Sequence, residues 1–246
     1  MGLFDLLGDR NADQNTGPRE EPDGAMAQRA SVLVEKLLSI GFDGSGKFDS
    51  AHEIAAAAQR RRSDPERVID DIVAQHTRLA ATSGFVTGLG GFALMVVALP
   101  ANVAGFYVLA TRMAAAIAKV RGFDIDDPAV RSAILLSLVG SDADDILAKA
   151  GAGASGPLAN VATKRLPSTA VMAINKGVGF RLLTQLSGKT LGRLGRAVPL
   201  VGGLVGATFD GFYLTRIARH VRDEFPAAIA GEIEAKAHEE KALGEN

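Results

Sequence analysis

"GFVTGLGGFALMVVALPANVAGFY", Gly84 to Tyr107, is the stretch on which the reading of this chain turns. It lies inside 33 consecutive uncharged residues, Leu79 to Thr111, bounded by Arg78 and Arg112. That run exceeds the ~20 apolar residues that cross a bilayer as a helix. Pro100 and Asn102 fall near its middle, however, and "TGLGG" places three glycines in its first half. A proline inside a helix removes a hydrogen bond and clashes with the preceding turn. The stretch therefore reads as two Gly-packed helical segments, 86–99 and one from 101, meeting near Pro100. Each is too short, or too polar at one end, for an ordinary span. The expectation is a hairpin buried in the body of the protein, with a shallow re-entrant membrane hairpin as the alternative. Gly88, Gly90 and Ala93 match a dinucleotide-binding fingerprint in spacing only. No strand precedes them, and no carboxylate stands about 20 residues on to hold a ribose.

The rest of the chain points to an all-α fold. Of its 246 residues, 47% are apolar, which excludes disorder for most of the length. Gly is plentiful, aromatics are few, and β-branched runs bounded by hairpin turns are missing. Helix starts are marked by local chemistry. "SAHE" (Ser50 to Glu53) is a capping box, and Asp64-Pro65 and Asp127-Pro128 each place an N-cap before a proline at the first helical position. Helices are expected over 25–39, 50–62, 64–83, 101–121, 128–139, 142–150, 168–187 and 203–224. The organisation expected is a flexible N-terminal tail over 1–24 and a helical domain over 25–225. A polar C-terminal helix or tail follows over 226–246. The tail carries a short apolar tip, Leu3, Phe4, Leu6 and Leu7, on a Pro- and Gly-containing linker.

One tripeptide recurs. The only two tyrosines of the chain both lie in "GFY", at Gly105-Phe106-Tyr107 and Gly211-Phe212-Tyr213. Each follows a proline in an apolar setting, Pro100 and Pro199. The spacings differ by seven residues, two helical turns, so the same face is kept. A degenerate repeat and a chance match both fit.

Charge is distributed unevenly along a nearly neutral chain. Residues 1–145 carry 14 basic and 20 acidic side chains. From Ile146 to Phe209 there is no acidic residue and eight basic ones. Such a stretch points to an anionic partner, unless the acidic part of the fold neutralises it. Within it, Lys189, Arg193 and Arg196 recur on one helical face, while Leu191, Leu194 and Val198 recur on another. A basic amphipathic helix of this kind suits a membrane surface or a partner protein. Nucleic acid is not expected, because Phe180 is the one aromatic available for stacking before Phe209.

Several chemistries are excluded or weakly supported. The chain has no cysteine, so disulfides, thiolate zinc sites and a cysteine nucleophile are impossible. "HEIAA" at His52 lacks the second histidine of a zinc-protease helix, and His76, His220 and His238 are scattered. Asp124, Asp126 and Asp127, and Asp142, Asp144 and Asp145, form two carboxylate clusters. Both can bind a divalent cation, yet both precede helices, where Asp serves as cap and complements the dipole. Asp210 is the sole charge between Arg196 and Arg216, and a buried pair with Arg112 is expected, with Arg216 as the local alternative. No catalytic residue and no cofactor are assigned. The N-terminus lacks a basic region and a long apolar stretch, so it does not read as a secretory signal, and a cytoplasmic protein is expected.

Together, "SGFVTGLGGFALMVVALPANVAGFYVLATRMAAAIAKVRGFDIDDPAVR" and the later "VPLVGGLVGATFDGFYLTRIARHVRDEF" resemble the EcsC family of bacterial proteins. The likeness spans Val68 to Phe225. It implies a bacterial cytoplasmic protein associated with an ABC transporter system, and it carries no catalytic residues over. The resulting expectation is an all-α, compact multi-helix bundle acting as an accessory protein. Its partner would be an anionic membrane surface or a membrane transporter subunit, at the inner face of the cell membrane. A metal-dependent hydrolase using the Asp clusters and a protein-interaction scaffold are the alternatives.

Overall fold

The computed structural model describes residues 24–46, 48–89, 91–152, 156–162, 166–187 and 199–227; over 25–27, 82–89, 91–104, 183, 185–187 and 199–210 it describes the helical backbone alone. The described part is all-α and contains no β-strand. Helix α1 (Gly24–Lys36) runs into a π-helical segment, Leu37–Phe42, followed by α2 (Ala51–Gln59) and two long helices, α3 (Pro65–Leu89) and α4 (Gly91–Val120). Then come α5 (Pro128–Ser137), a 3-10 turn (Gly140–Asp142), α6 (Ala143–Lys149), α7 (Ala159–Ala162), α8 (Ser168–Ser187) and α9 (Pro199–Glu224).

Three of the helix starts arise as their local chemistry dictates. The Ser50 hydroxyl accepts from the Glu53 N–H at 3.2 Å, and Glu53 accepts from the Ser50 N–H at 2.7 Å, which closes the capping box. Asp64 accepts from the N–H groups of Glu66 and Arg67 at 2.9 and 3.1 Å. Asp127 accepts from Ala129 and Val130, with Pro128 at the first helical position. Each cap satisfies amides that the helix itself leaves without acceptors.

The break expected at Pro100 is absent. Helix α4 begins at Gly91 and continues through Pro100, and α3 extends to Leu89. An interior proline costs about 3 kcal/mol, which a long packed helix can absorb. The expected burial of the hairpin's side chains up to Ala104 falls outside the described residues, but Tyr107 is buried.

The second half of α4 is the centre of the molecule. Met113, Ala114, Ala115, Ala116, Ile117 and Ala118 have no exposed surface, so this segment is enclosed on all sides. Around it pack α2, α3, α5, α9 and the π-helical segment. Small residues allow the close approach. A Cβ added to Gly41 would lie 2.7 Å from Thr111 Cγ2, so the π-helical segment meets α4 at a distance only glycine permits.

Three contacts fix the directions of the long helices. Glu66 on α3 pairs with Arg121 just past the end of α4 at 2.7 Å, and Asp70 on α3 pairs with Arg222 on α9 at 2.6 Å. Further along α3, Thr77 faces Gly211, where an added Cβ would be 3.4 Å from the Thr77 methyl. Rising numbers on α3 meet falling numbers on α9, so these two are antiparallel. Helix α4 returns antiparallel along α3 as well, with Arg112 acting electrostatically on His76. Hence α4 and α9 run parallel to each other.

Candidate functional site

That register brings two features of the sequence together. The first is the pair of "GFY" tripeptides. Tyr107 on α4 and Tyr213 on α9 are both buried and line one cavity of about 380 Å³. Their local geometry is the same. The Phe106 and Tyr107 rings meet edge to face, centroids 5.6 Å apart and planes at 74°; Phe212 and Tyr213 do so at 5.8 Å and 78°. In each tripeptide the rings of neighbouring residues on one helix meet in the same way. This is what the echo in the sequence corresponds to in space.

Helix α9 supplies the charge of the cavity. Tyr213, Arg216, His220 and Asp223 recur at helical spacing along one stripe, joined by Arg219. The opposite wall is the end of α5 and the turn after it, where Ser137, Leu138 and Gly140 line the space. Gly140 has φ 58°, a left-handed conformation that lets the chain turn sharply from α5 into α6. Ser137 donates to the Ile134 carbonyl at 2.6 Å and so satisfies one of the last carbonyls of α5. Burial raises the pKa of both tyrosine phenols, with Arg216 opposing it at Tyr213. Both are neutral hydrogen-bonding groups at ordinary pH. Burial pushes the His220 imidazole down, with Glu224 and Asp223 opposing. His220 Nε2 is buried without a hydrogen-bond partner among the described residues.

The second feature is the segregation of charge. On α3 the charges end at Arg78, on α4 they begin at Arg112, and on α9 they begin at Asp210. Because α3 is antiparallel to the other two, the uncharged parts of all three helices lie toward one end of the bundle. The cavity sits where those uncharged parts give way to charge, below Tyr107 and around Arg216. Residues 188–198, which hold Lys189, Arg193 and Arg196, join α9 at that same end; they lie outside the described residues. No helix among the described residues is long and apolar enough to cross a membrane.

Four of the six Asp residues in the two clusters make structural contacts. Asp124 accepts from the Asp126 N–H at 3.1 Å, and Asp127 caps α5. Asp126 is shared between His52 and Arg131, each at 3.2 Å, and the His52 bond is the main cause that lowers its pKa. Asp142 does not cap the following helix; its carboxylate pairs with Arg181 on α8 and ties the α6 region to that helix. Asp144 and Asp145 occupy the first turn of α6, where the helix dipole favours them. Among the described residues, no group of three His, Asp or Glu side chains is placed to hold a metal ion.

Arg112 is buried, 7% exposed, with its guanidinium 5.4 Å from the centre of the Phe48 ring. Burial lowers its pKa, with Asp49 opposing, and its Nε has no hydrogen-bond partner among the described residues. The Asp210 side chain, its expected partner, lies outside them.

Comparison with protein-family models gives a match to the EcsC protein family over residues 50–225. Comparison with curated proteins and with solved structures returns no match.

Proposed function

On the premise that the chain belongs to the EcsC protein family, as the match over most of its length establishes, we propose that it is a non-catalytic accessory protein of a membrane surface. It sits with the uncharged helix ends toward an anionic bilayer, at the cytoplasmic face, and serves a transport or envelope system. The observation that carries this reading is the shared end. The uncharged parts of α3, α4 and α9 and the attachment of the basic segment all lie on one side.

The dimensions support shallow insertion. Leu79 to Leu89 on α3 and Pro199 to Phe209 on α9 each hold 11 residues without a charge. At ~1.5 Å per residue each is about 16 Å long, roughly one leaflet of a ~30 Å hydrocarbon core. Helices satisfy their own backbone polar groups, so such ends can enter hydrocarbon without stranding amides. Lys189, Arg193 and Arg196 would then lie at headgroup level. At about 1 kcal/mol per cation they contribute about 3 kcal/mol, roughly a hundredfold in partitioning. The transport association rests on the family resemblance. The hydrolase alternative is less favoured, because Asp126, Asp127 and Asp142 serve as cap and ion-pair partners.

Flotation with vesicles of phosphatidylcholine, with and without phosphatidylglycerol, tests the reading. Wild type is expected to float with the anionic vesicles. Lys189, Arg193 and Arg196 changed together to Glu should reduce this about a hundredfold. Leu94→Asp with Val97→Asp should abolish insertion while leaving the melting temperature unchanged. A large melting-temperature drop with vesicle binding intact would refute the reading and establish a buried hairpin.

A further inference from the structure

We propose that the groove between α1 and α8 is the docking site for the apolar tip of the chain's own N-terminal tail, Leu3, Phe4, Leu6 and Leu7. Neither the uncharged helix ends nor the basic segment takes part, so this site stands apart from the membrane-facing reading above. The groove holds about 730 Å³, inside the ~300–1,000 Å³ range of sites that enclose small ligands. Val34 and Leu38 on α1 and Val171 and Met172 on α8 give it apolar walls. Val34 is buried, and Leu38 and Val171 are half-buried. The charged members of the lining, Glu35, Asp43 and Lys176, are all exposed. An apolar floor inside a polar rim is the build of a surface that takes up another apolar element. Met172 is 69% exposed, the most exposed large hydrophobic side chain among the described residues. A thioether on a binding surface adapts to the shape of what lands on it.

The groove is built into the fold. Its two helices touch at Gly179, where an added Cβ would lie 2.5 Å from the Ala30 carbonyl oxygen. Asn175 in the lining accepts from the Ser132 hydroxyl at 3.2 Å, and Asp43 pairs with Arg131 at 2.6 Å, so α5 fixes both from outside the groove.

The tip fits as occupant on two grounds, its pattern and its tether. In Leu3-Phe4-Asp5-Leu6-Leu7, Leu3, Leu6 and Leu7 stand at i, i+3 and i+4, Phe4 stands three residues before Leu7, and Asp5 falls on the opposite side. Those are the anchors of an amphipathic helix laid in a groove. One or two turns bind weakly by themselves, because nucleating a helix is costly. Attachment changes the balance. The tail, residues 1–23, lies outside the described residues and joins the body at Gly24, where α1 begins. Residues 8–23 separate the tip from α1, and a chain of that length has a root-mean-square span of about 20–24 Å. The lining on α1 runs from Gln28 to Leu38, about 6–21 Å along the helix from Gly24. Span and distance agree, the condition under which a tether gives its highest effective concentration, on the order of millimolar. A tip with an affinity of only ~1 mM is then docked about half of the time. At micromolar chain concentration the tip of a second copy is about a thousandfold more dilute, which favours the chain's own.

The chain has no tryptophan, so Phe4→Trp in the full-length protein places a single reporter in the tip. Without lipid present, its emission is expected to be blue-shifted and shielded from acrylamide. Met172→Glu in the groove, and Leu6→Asp with Leu7→Asp in the tip, should each lower the docked-to-free ratio at least about tenfold and return the emission to that of a solvated indole. Met172 is mostly exposed, so its variant keeps the fold; melting temperatures check this, and Met172→Ser repeats the test with a milder change. Emission that stays constant across micromolar chain concentrations shows that the tip docks on its own chain. Emission that shifts with concentration, in step with dimers seen by sedimentation, gives the groove to a second copy and overturns the proposal. A solvated indole in the Phe4→Trp protein, or a shielded one that both Met172 variants leave unchanged, overturns it as well.

Discussion

His76 makes the stability of this fold depend on pH in a way that a single substitution should remove. The side chain is 1% exposed on α3, and its Nδ1 lies 2.8 Å from the Ile72 carbonyl. That carbonyl can only accept, so Nδ1 carries the proton and donates. Nε2 is buried without a partner among the described residues, and Arg112 stands nearby. Burial is the main cause that pushes the imidazole pKa down from 6.5 to about 4; the Ile72 bond opposes it and the charge of Arg112 adds to it. Unfolded chain therefore binds the proton more readily than folded chain. The stability contributed by neutral His76 is fully present above pH 6.5, falls as pH drops through the window, and is gone below about pH 4. A tenfold difference in proton affinity between the two states is worth ~1.4 kcal/mol, so the change between pH 7 and pH 4.5 is about 2–3 kcal/mol. Urea denaturation at those two pH values, for wild type and for His76→Asn, measures it. Asparagine keeps an N–H donor for Ile72 but does not titrate. His220, whose pKa is also lowered by burial, is present in both proteins and cancels. The wild type should lose about 2–3 kcal/mol more than the variant on acidification. Equal losses would show that His76 is solvated or partnered in the folded state, and would refute the reasoning.

Two further outcomes follow, the first from the sequence and the second from the packing. Asp210→Ala should cost about 3–5 kcal/mol if its carboxylate is buried against Arg112. A thermal double-mutant cycle with Arg112→Ala checks this, and a melt unchanged within error refutes the pair. Gly179→Ala should cost about 1–3 kcal/mol and loosen α1 from α8, because the added methyl would lie 2.5 Å from the Ala30 carbonyl oxygen. Hydrogen exchange faster in α1 than in α4 is the signature, and uniform exchange would contradict it.

What the sequence made legible was local. Ser50, Asp64 and Asp127 announce their helices because a cap joins a side chain to amides two or three residues away. Pro100 misled for the same reason. Its local cost is readable, but whether a long helix outweighs that cost depends on packing along 30 residues of α4. The four-residue α7 and the π-helical segment Leu37–Phe42 carry no periodic signal at all. Asp142 shows the limit from another side: it stands in cap position, yet its carboxylate is taken by Arg181 from a distant helix. The cavity was half visible. Arg216, His220 and Asp223 already share a helical stripe with Tyr213 in the sequence, and the "GFY" echo pairs Tyr213 with Tyr107. That the two tyrosines line one cavity required the register of α9 and α4 against α3, which no local pattern encodes.

The same register bears on how the uncharged run should be understood. A helix on the surface of a soluble protein divides its residues radially, with an apolar stripe inward and a polar face outward. Helices α3, α4 and α9 divide theirs along the axis as well. The charged halves meet one another, Glu66 with Arg121 and Asp70 with Arg222. The opposite halves carry no charge on any face, over 11 residues of α3 and 11 of α9. Radial division places a helix against a core; axial division calls for a second apolar cover at the uncharged end. A helix apolar all round must be enclosed by protein or by lipid. The second half of α4 is enclosed by five neighbouring segments, which together leave Met113 to Ala118 without exposed surface. To bury the uncharged ends in the same manner would take comparable cover at the far end of the molecule. The segment attached there by the chain, 188–198, is glycine-rich and carries three cations. On the reading proposed above, an anionic leaflet would complement the uncharged helix ends together with the three cations of that segment.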